Sequence, residues 1–174
     1  SFRLGVSGSG KSFSAKEEIV DLALSTEDDI LILDPESEFG SLVEALNGEV
    51  ISISAISHTH LNALDMDSAY GNDKNPLIEK SEFILSLFEQ LVGAGNLSAK
   101  EKSILDRCTA DVYREYIRSG YKSEVPTLKD LYRQLMLQPE EEARGLALSS
   151  ELFINGSLNT FAQKTNVNTK NRII

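Results

Sequence analysis

The sequence predicts an α/β fold, a doubly wound parallel sheet interrupted by an inserted all-α helical bundle. Three observations carry the prediction. A glycine-rich octapeptide, Gly5-Val6-Ser7-Gly8-Ser9-Gly10-Lys11-Ser12, stands where such a sheet makes its first strand-to-helix turn. Short apolar runs at residues 30–33 and 50–53 alternate with helical segments in the order strand, helix, strand, helix, strand. Four amphipathic segments in series then fill residues 75–154.

Each element has its own signal. Phe2 to Leu4 is a strand stub before the octapeptide. From Lys11 onward, Phe13, Ala15, Ile19, Val20, Leu22, Ala23 and Leu24 give a helix with a broad apolar side, and Lys16, Glu17, Glu18 and Asp21 face solvent. Ile30-Leu31-Ile32-Leu33 is a continuous apolar run of the kind buried on both faces of a parallel sheet. Leu42 to Leu46 reads as a short helix stopped by Asn47-Gly48, and Val50 to Ile53 as a third strand. Residues 54–75 are polar and irregular. Pro76 then opens a helix carrying Leu77, Ile84, Leu87, Phe88 and Leu91 at helical spacing, ended at Gly93. Ser98-Ala99-Lys100-Glu101 is a capping box for a second helix, Pro126-Thr127 begins a third, and Pro139 before three glutamates begins a fourth. The expected organisation is thus 1–60 for the first part of the α/β domain, 75–154 for the helical insertion, and 155–174 for the return to the α/β domain.

The octapeptide fits G-x-x-x-x-G-K-[ST], a loop that cradles the phosphates of a nucleoside triphosphate. Gly5, Gly8 and Gly10 permit backbone conformations that a Cβ forbids, so the N–H groups of the loop, those of Ser7 and Ser9 included, converge on phosphate oxygens. Lys11 neutralises the terminal phosphates, the Ser12 hydroxyl is the expected magnesium ligand, and the helix that begins there, through Phe13, aims its positive end at the anion. The four fixed positions match by chance on the order of once per hundred chains of this size, which favours the nucleotide reading over a fortuitous turn. The expected cofactors are ATP and Mg2+.

Asp34, Glu36 and Glu38 follow the second strand at the carboxyl edge where α/β sheets bind ligands. A carboxylate there orients water or holds a magnesium-bound water, with Glu36 and Glu38 as catalytic candidates and Asp34 as a pocket residue. The structural alternative makes Asp34 a helix cap with Pro35 in the first turn. His58 and His60, with Asn62, Asp65 and Asp67 nearby, read either as a metal site or, as the generic spacing favours, as a hydrogen-bonded loop.

Composition bounds the rest. The chain has 174 residues, 41% hydrophobic and 25% charged, enough for a packed core. A net charge of −10 argues against a broad electrostatic nucleic-acid surface, leaving at most a local basic patch at Lys164, Lys170 and Arg172. Cys108 is the one cysteine, which rules out an internal disulfide and fits a reducing compartment. No apolar run approaches the roughly 18 residues of a membrane span. Only four residues precede the loop and the chain stops at Arg172-Ile173-Ile174, a strand just beginning, so a piece of a longer protein is expected.

Four segments together resemble one family: residues 5–16, Ile32 to Phe39 (ILDPESEF), His60 to Asp65 (HLNALD), and Phe161 to Val167 (FAQKTNV) with Asn171-Arg172. They are similar to the TraC/TrbE-type ATPases of conjugative type IV secretion, the family of the fourth VirB protein, within the FtsK/HerA branch of P-loop motors. That resemblance implies a partial RecA-like P-loop NTPase sheet in a hexameric ATPase. Such a motor powers pilus assembly or substrate transfer, is cytoplasmic, and associates peripherally with the inner membrane beside other secretion subunits. It further implies that the metal-binding acidic strand and the arginine motifs lie beyond Ile174, leaving turnover by this stretch weak or absent. The readings set against it are a double-stranded DNA translocase of the same branch, and a nucleotide-sensing docking module without turnover. A GTPase is disfavoured because no Asn-Lys-x-Asp motif occurs.

Overall fold

The computed structural model describes residues 11–54, 58–71, 75–156 and 158–174. It divides into two units, one drawn from Ser1–Ser52 and Val167–Ile174 and the other from Ile53–Asn166. The first contains helices α1 (Lys11–Ser25) and α2 (Gly40–Ala45). One flank of α1 (Ala15, Ile19, Leu22) lines an apolar cleft of about 350 Å3 with Ile30, Ile32 and Phe39. The end of α1 is closed by Arg172. Its guanidinium donates to the Ala23 carbonyl at 2.9 Å and to the Asp28 carbonyl at 3.0 Å, putting a cation on the negative pole of the helix. At the turn after α2, Asn47 takes φ 57° and Gly48 lets the backbone pass close by. A Cβ on Gly48 would lie 2.6 Å from Val43 Cγ1 and 2.9 Å from the Ile173 carbonyl oxygen.

The doubly wound, RecA-like sheet expected from the sequence is not formed among the described residues. They hold a single isolated parallel bridge, between Ile30 and Ile173. The Ile30 and Ile32 N–H groups donate to the Arg172 and Ile174 carbonyls, each at 2.7 Å, and Ile174 N–H returns a bond to Ile30 at 3.0 Å. The run at 30–33 therefore finds a partner in the last residues of the chain, and the pairing goes no further. At 50–53 only the preceding residue reaches it, Glu49 N–H donating to the Ile173 carbonyl at 2.8 Å. Strand propensity is realised through neighbours on both edges and both faces. Leu31 and Leu33 lack that cover, at 73% and 86% exposed. Phe2 to Leu4 lie outside the described residues.

The second unit is helical and densely packed. It holds α3 (Pro76–Val92), α4 (Ala99–Arg118), α5 (Leu128–Met136), α6 (Glu141–Ile154) and a 3-10 turn at Asn159–Ala162. Pro76 stands in the first turn of α3. Ser98 and Glu101 form the capping box of α4, Ser98 N–H donating to Glu101 Oε2 at 2.8 Å. The Thr127 N–H donates likewise to Asp130 Oδ2 at the start of α5. Helix α4 packs on α3, α5 and α6, and α5 packs on α6. Their apolar stripes close one core through Ile84, Phe88, Leu105, Leu131, Leu135 and Leu146. Each such buried side chain stabilises the unit by roughly 1.5–3 kcal/mol. Cys108 lies in that core, fully covered, and burial pushes its thiol up to about 11.

An irregular strap, residues 58–71, lies on this bundle. The Tyr113 hydroxyl donates to the Leu64 carbonyl at 2.5 Å and the Tyr116 hydroxyl to Met66 at 2.7 Å. Lys80, on α3, is only 3% exposed; its ammonium donates to the Ala63 carbonyl at 3.3 Å and lies 4.0 Å from the Tyr70 ring centre and 4.8 Å from that of Phe83. Burial lowers the Lys80 ammonium to about 8, against a smaller opposing pull from Asp65.

Candidate nucleotide-binding site

Gly5, Ser7, Gly8, Ser9 and Gly10 lie outside the described residues, as does the side chain of Lys11. The description starts where α1 starts, at Lys11. No acidic residue occupies the first turn of α1, so no carboxylate of that turn competes for its positive end. Ser12 is half-buried there, and Phe13 is 68% exposed on the outer side of the helix. A polyphosphate with its magnesium fits this residue set: a helix start without acid in its first turn, a hydroxyl in that turn and a lysine at its first position.

Asp34 is not the helix cap of the structural reading, since Phe39 takes that place. Its carboxylate accepts the Phe39 N–H at 2.8 Å, closing the turn from Asp34 to Phe39 that precedes α2. That bond is the main reason its carboxyl is held below the usual carboxylate range, with the Glu38, Glu36 and Ser37 amides adding to it. The helix begins at Gly40, so Pro35 is not in its first turn. Ser37 takes φ 57°, and Glu36 and Glu38 stand exposed on the turn. The geometry therefore fastens Asp34 into the loop and leaves the two glutamates accessible. Lys16 of α1 lies 5.4 Å from the Phe39 ring centre, tying the helix to the same turn. Phe39 and Lys16 were not among the predicted site residues; the signal for them is the cation on α1 facing an aromatic at the end of ILDPESEF.

The histidine segment serves a different purpose. Asn62 donates to Asp65 Oδ1 at 3.0 Å and to the Pro126 carbonyl at 2.9 Å, and Thr165 donates to the other Asp65 oxygen. Among the described residues no group of three or more His, Cys, Asp or Glu side chains is gathered for a metal ion. Of the expected basic patch, Lys164 pairs with Glu124 at 2.6 Å and Arg172 with main-chain carbonyls.

The family model for DUF87, the central domain of helicase HerA, matches residues 4–174. The chain belongs to the HerA central-domain family. Its fold is similar to the solved structure of VirB4 from Thermoanaerobacter pseudethanolicus, with a TM-score of 0.68 at 22% identity over 98% of this chain. The match covers 47% of that structure, so the chain spans about half its length. No curated protein matches significantly. The family match agrees with the FtsK/HerA branch of the resemblance read from the motifs, and the VirB4 likeness is one of fold. Among the described residues no helix is long and apolar enough to cross a membrane.

Proposed function

We propose that this HerA-family chain is the nucleotide-binding part of an ATP-hydrolysing motor of a conjugative type IV secretion system. Gly5, Ser7, Gly8, Ser9 and Gly10 would cradle the phosphates through their amides, Lys11 would neutralise them and Ser12 would hold Mg2+. Phe13 would flank the cradle, and Glu36 and Glu38 would orient water, with Asp34 fixing the turn that presents them. The magnesium would supply charge neutralisation on the phosphoryl group; the chain's own part is to bind and orient it. The hexameric state, the secretion partners at the inner membrane and a cytoplasmic, peripheral location belong to the same proposal.

The observation that carries it is the phosphate-loop octapeptide running into a helix whose first turn is free of acid, inside a family match spanning the whole segment. Titration calorimetry of Mg-ATP and Mg-ADP into the wild-type chain and Lys11→Ala tests it. The wild type is expected to bind, and the variant to bind roughly 10–100-fold more weakly, the loss of one charge-assisted contact. A folded wild type that binds neither nucleotide overturns the reading. The helicase family match favours a second reading, a DNA translocase. Salt-dependent DNA binding by the longer protein distinguishes it from a secretion motor acting on protein alone.

A further inference from the structure

Helix α6 has an inner and an outer face of different character. The inner one, Ala143, Leu146, Ala147, Ser150, Phe153 and Ile154, is buried in the core. The outer one shows solvent Leu148 and Leu152, both half-exposed, and half-exposed Met136 of α5 stands one turn on from Tyr132, whose hydroxyl donates to Glu151 of α6 at 3.3 Å. A surface helix ordinarily turns charge outward. Helix α4 does so, with Lys102, Asp106, Arg114 and Glu115 exposed and no large apolar side chain among its exposed residues. The outer face of α6 also holds a glycine in the helix interior, where only proline is a weaker former. A Cβ on Gly145 would meet nothing within 4 Å, so no contact among the described residues requires the missing side chain. What it leaves is room for another backbone to come close.

The charges on this face complement themselves. Arg144 lies four residues before Leu148 and Glu151 three after it, so at a rise of about 1.5 Å per residue they stand roughly 10 Å apart with the leucine between them. Both are exposed, and both act on the Tyr132 hydroxyl, which bonds Glu151 and feels the nearby Arg144 charge. Arg144 enters none of the ion pairs formed among the described residues. A two-fold axis near Leu148 that lays two α6 helices antiparallel sets Arg144 of each copy opposite Glu151 of the other. Leu148 and Leu152 then meet across the space at Gly145, and Glu141 falls opposite Asn155, so no like charges are brought together. We infer that the outer face of α5 and α6 is a pairing surface for a second copy of this chain, an isologous contact centred on Leu148. It closes on two copies, and so is a surface additional to any head-to-tail ring contact. It draws only on residues of the helical unit and does not depend on the nucleotide reading.

Sedimentation equilibrium of the whole chain tests it, at about 0.15 M salt, where the repulsion between two copies of net charge −10 is screened beyond about 8 Å. The wild type is expected to exchange between monomer and dimer with concentration. Arg144→Glu and Glu151→Arg each set like charges together and should weaken the dimer by more than about tenfold. Mixed in equal amounts, the two variants restore opposite charges at both positions and should form a mixed dimer at close to wild-type affinity. Gly145→Gln fills the open space with a better helix former, so it should melt no lower than the wild type yet lose the dimer, and it serves if a charge reversal does not fold. A wild-type chain that stays monomeric overturns the inference and leaves the face to a segment of a longer protein or to another subunit. So does a dimer that survives all three substitutions, or one that single reversals weaken and mixing fails to restore.

Discussion

The two units solve opposite problems. In the helical unit, amphipathic stripes meet on several sides and the core includes side chains with no solvent contact, among them Ile84, Leu105 and Leu135. In the other unit, only Val43 and Ile173 are buried hydrophobics among the described residues, while Phe13, Leu24, Leu31 and Leu33 are well exposed. The difference lies in where each element finds its partner. A helix closes its own main-chain hydrogen bonds, and four in sequence cover one another's apolar faces. A parallel strand closes nothing by itself and needs a neighbour on each edge and a layer on each face. The helical unit is thus where stability is concentrated, and the other unit is where the chain keeps its exposed acids, Glu36 and Glu38.

The sharpest break of that contrast is a pair of truncations. Leu105→Ala is expected to destabilise by about 2–5 kcal/mol, the cost of an emptied core position. Leu33→Ala, at an 86% exposed position, is expected to shift stability by less than about 0.5 kcal/mol. Urea denaturation of both variants checks the difference, and equal costs would mean that Leu33 is covered in solution. The unit that holds α1 and α2 has its own tight point. Gly48→Ala puts a Cβ against Val43 Cγ1 and the Ile173 carbonyl, so a loss of about 1–3 kcal/mol is expected. Thermal melting reads that loss, and a neutral result would mean that the 30–32 and 172–174 pairing yields freely.

How far the sequence disclosed this follows the same divide. The α3 and α4 starts were legible because Pro76 and the Ser98–Glu101 box are local signals that work without a partner. The core face of α3 was legible from spacing for the same reason, Ile84 and Phe88 among its buried residues. The sheet was misread because Ile30–Leu33 and Val50–Ile53 carry strand composition, and composition is silent on who pairs with whom. The candidate site was read from an octapeptide that lies outside the described residues except at its last two positions, and the turn that Asp34 closes was not read from the sequence. A carboxylate at a strand end serves catalysis or a turn with the same letters, and only the Phe39 N–H at 2.8 Å shows the turn. HLNALD and FAQKTN were noticed as family signatures; that they bind each other across about a hundred residues is a tertiary fact no local pattern contains.

Lys80 is the exception inside the better-packed unit, and it sharpens the comparison most finely. Its ammonium is buried with one carbonyl and two aromatic rings, and burial lowers it from the ordinary 10.5 to about 8. Below pH 8 it is charged in both folded and unfolded chains, and the cost of burying that charge is fully present. Between about 8 and 10.5 the unfolded chain binds more protons than the folded one, so stability rises with pH across that window and the cost disappears above it. Lys80→Met keeps the length and removes the charge, and is expected to stabilise by about 1–2 kcal/mol at pH 7, after discounting for residual solvation. Denaturation of wild type and variant from pH 7 to 10.5 reads the gap directly, which should narrow as pH rises through 8. A constant gap would show that the packing of methionine, rather than the proton, accounts for it. A destabilised variant would show that the carbonyl and ring contacts outweigh the desolvation of the charge.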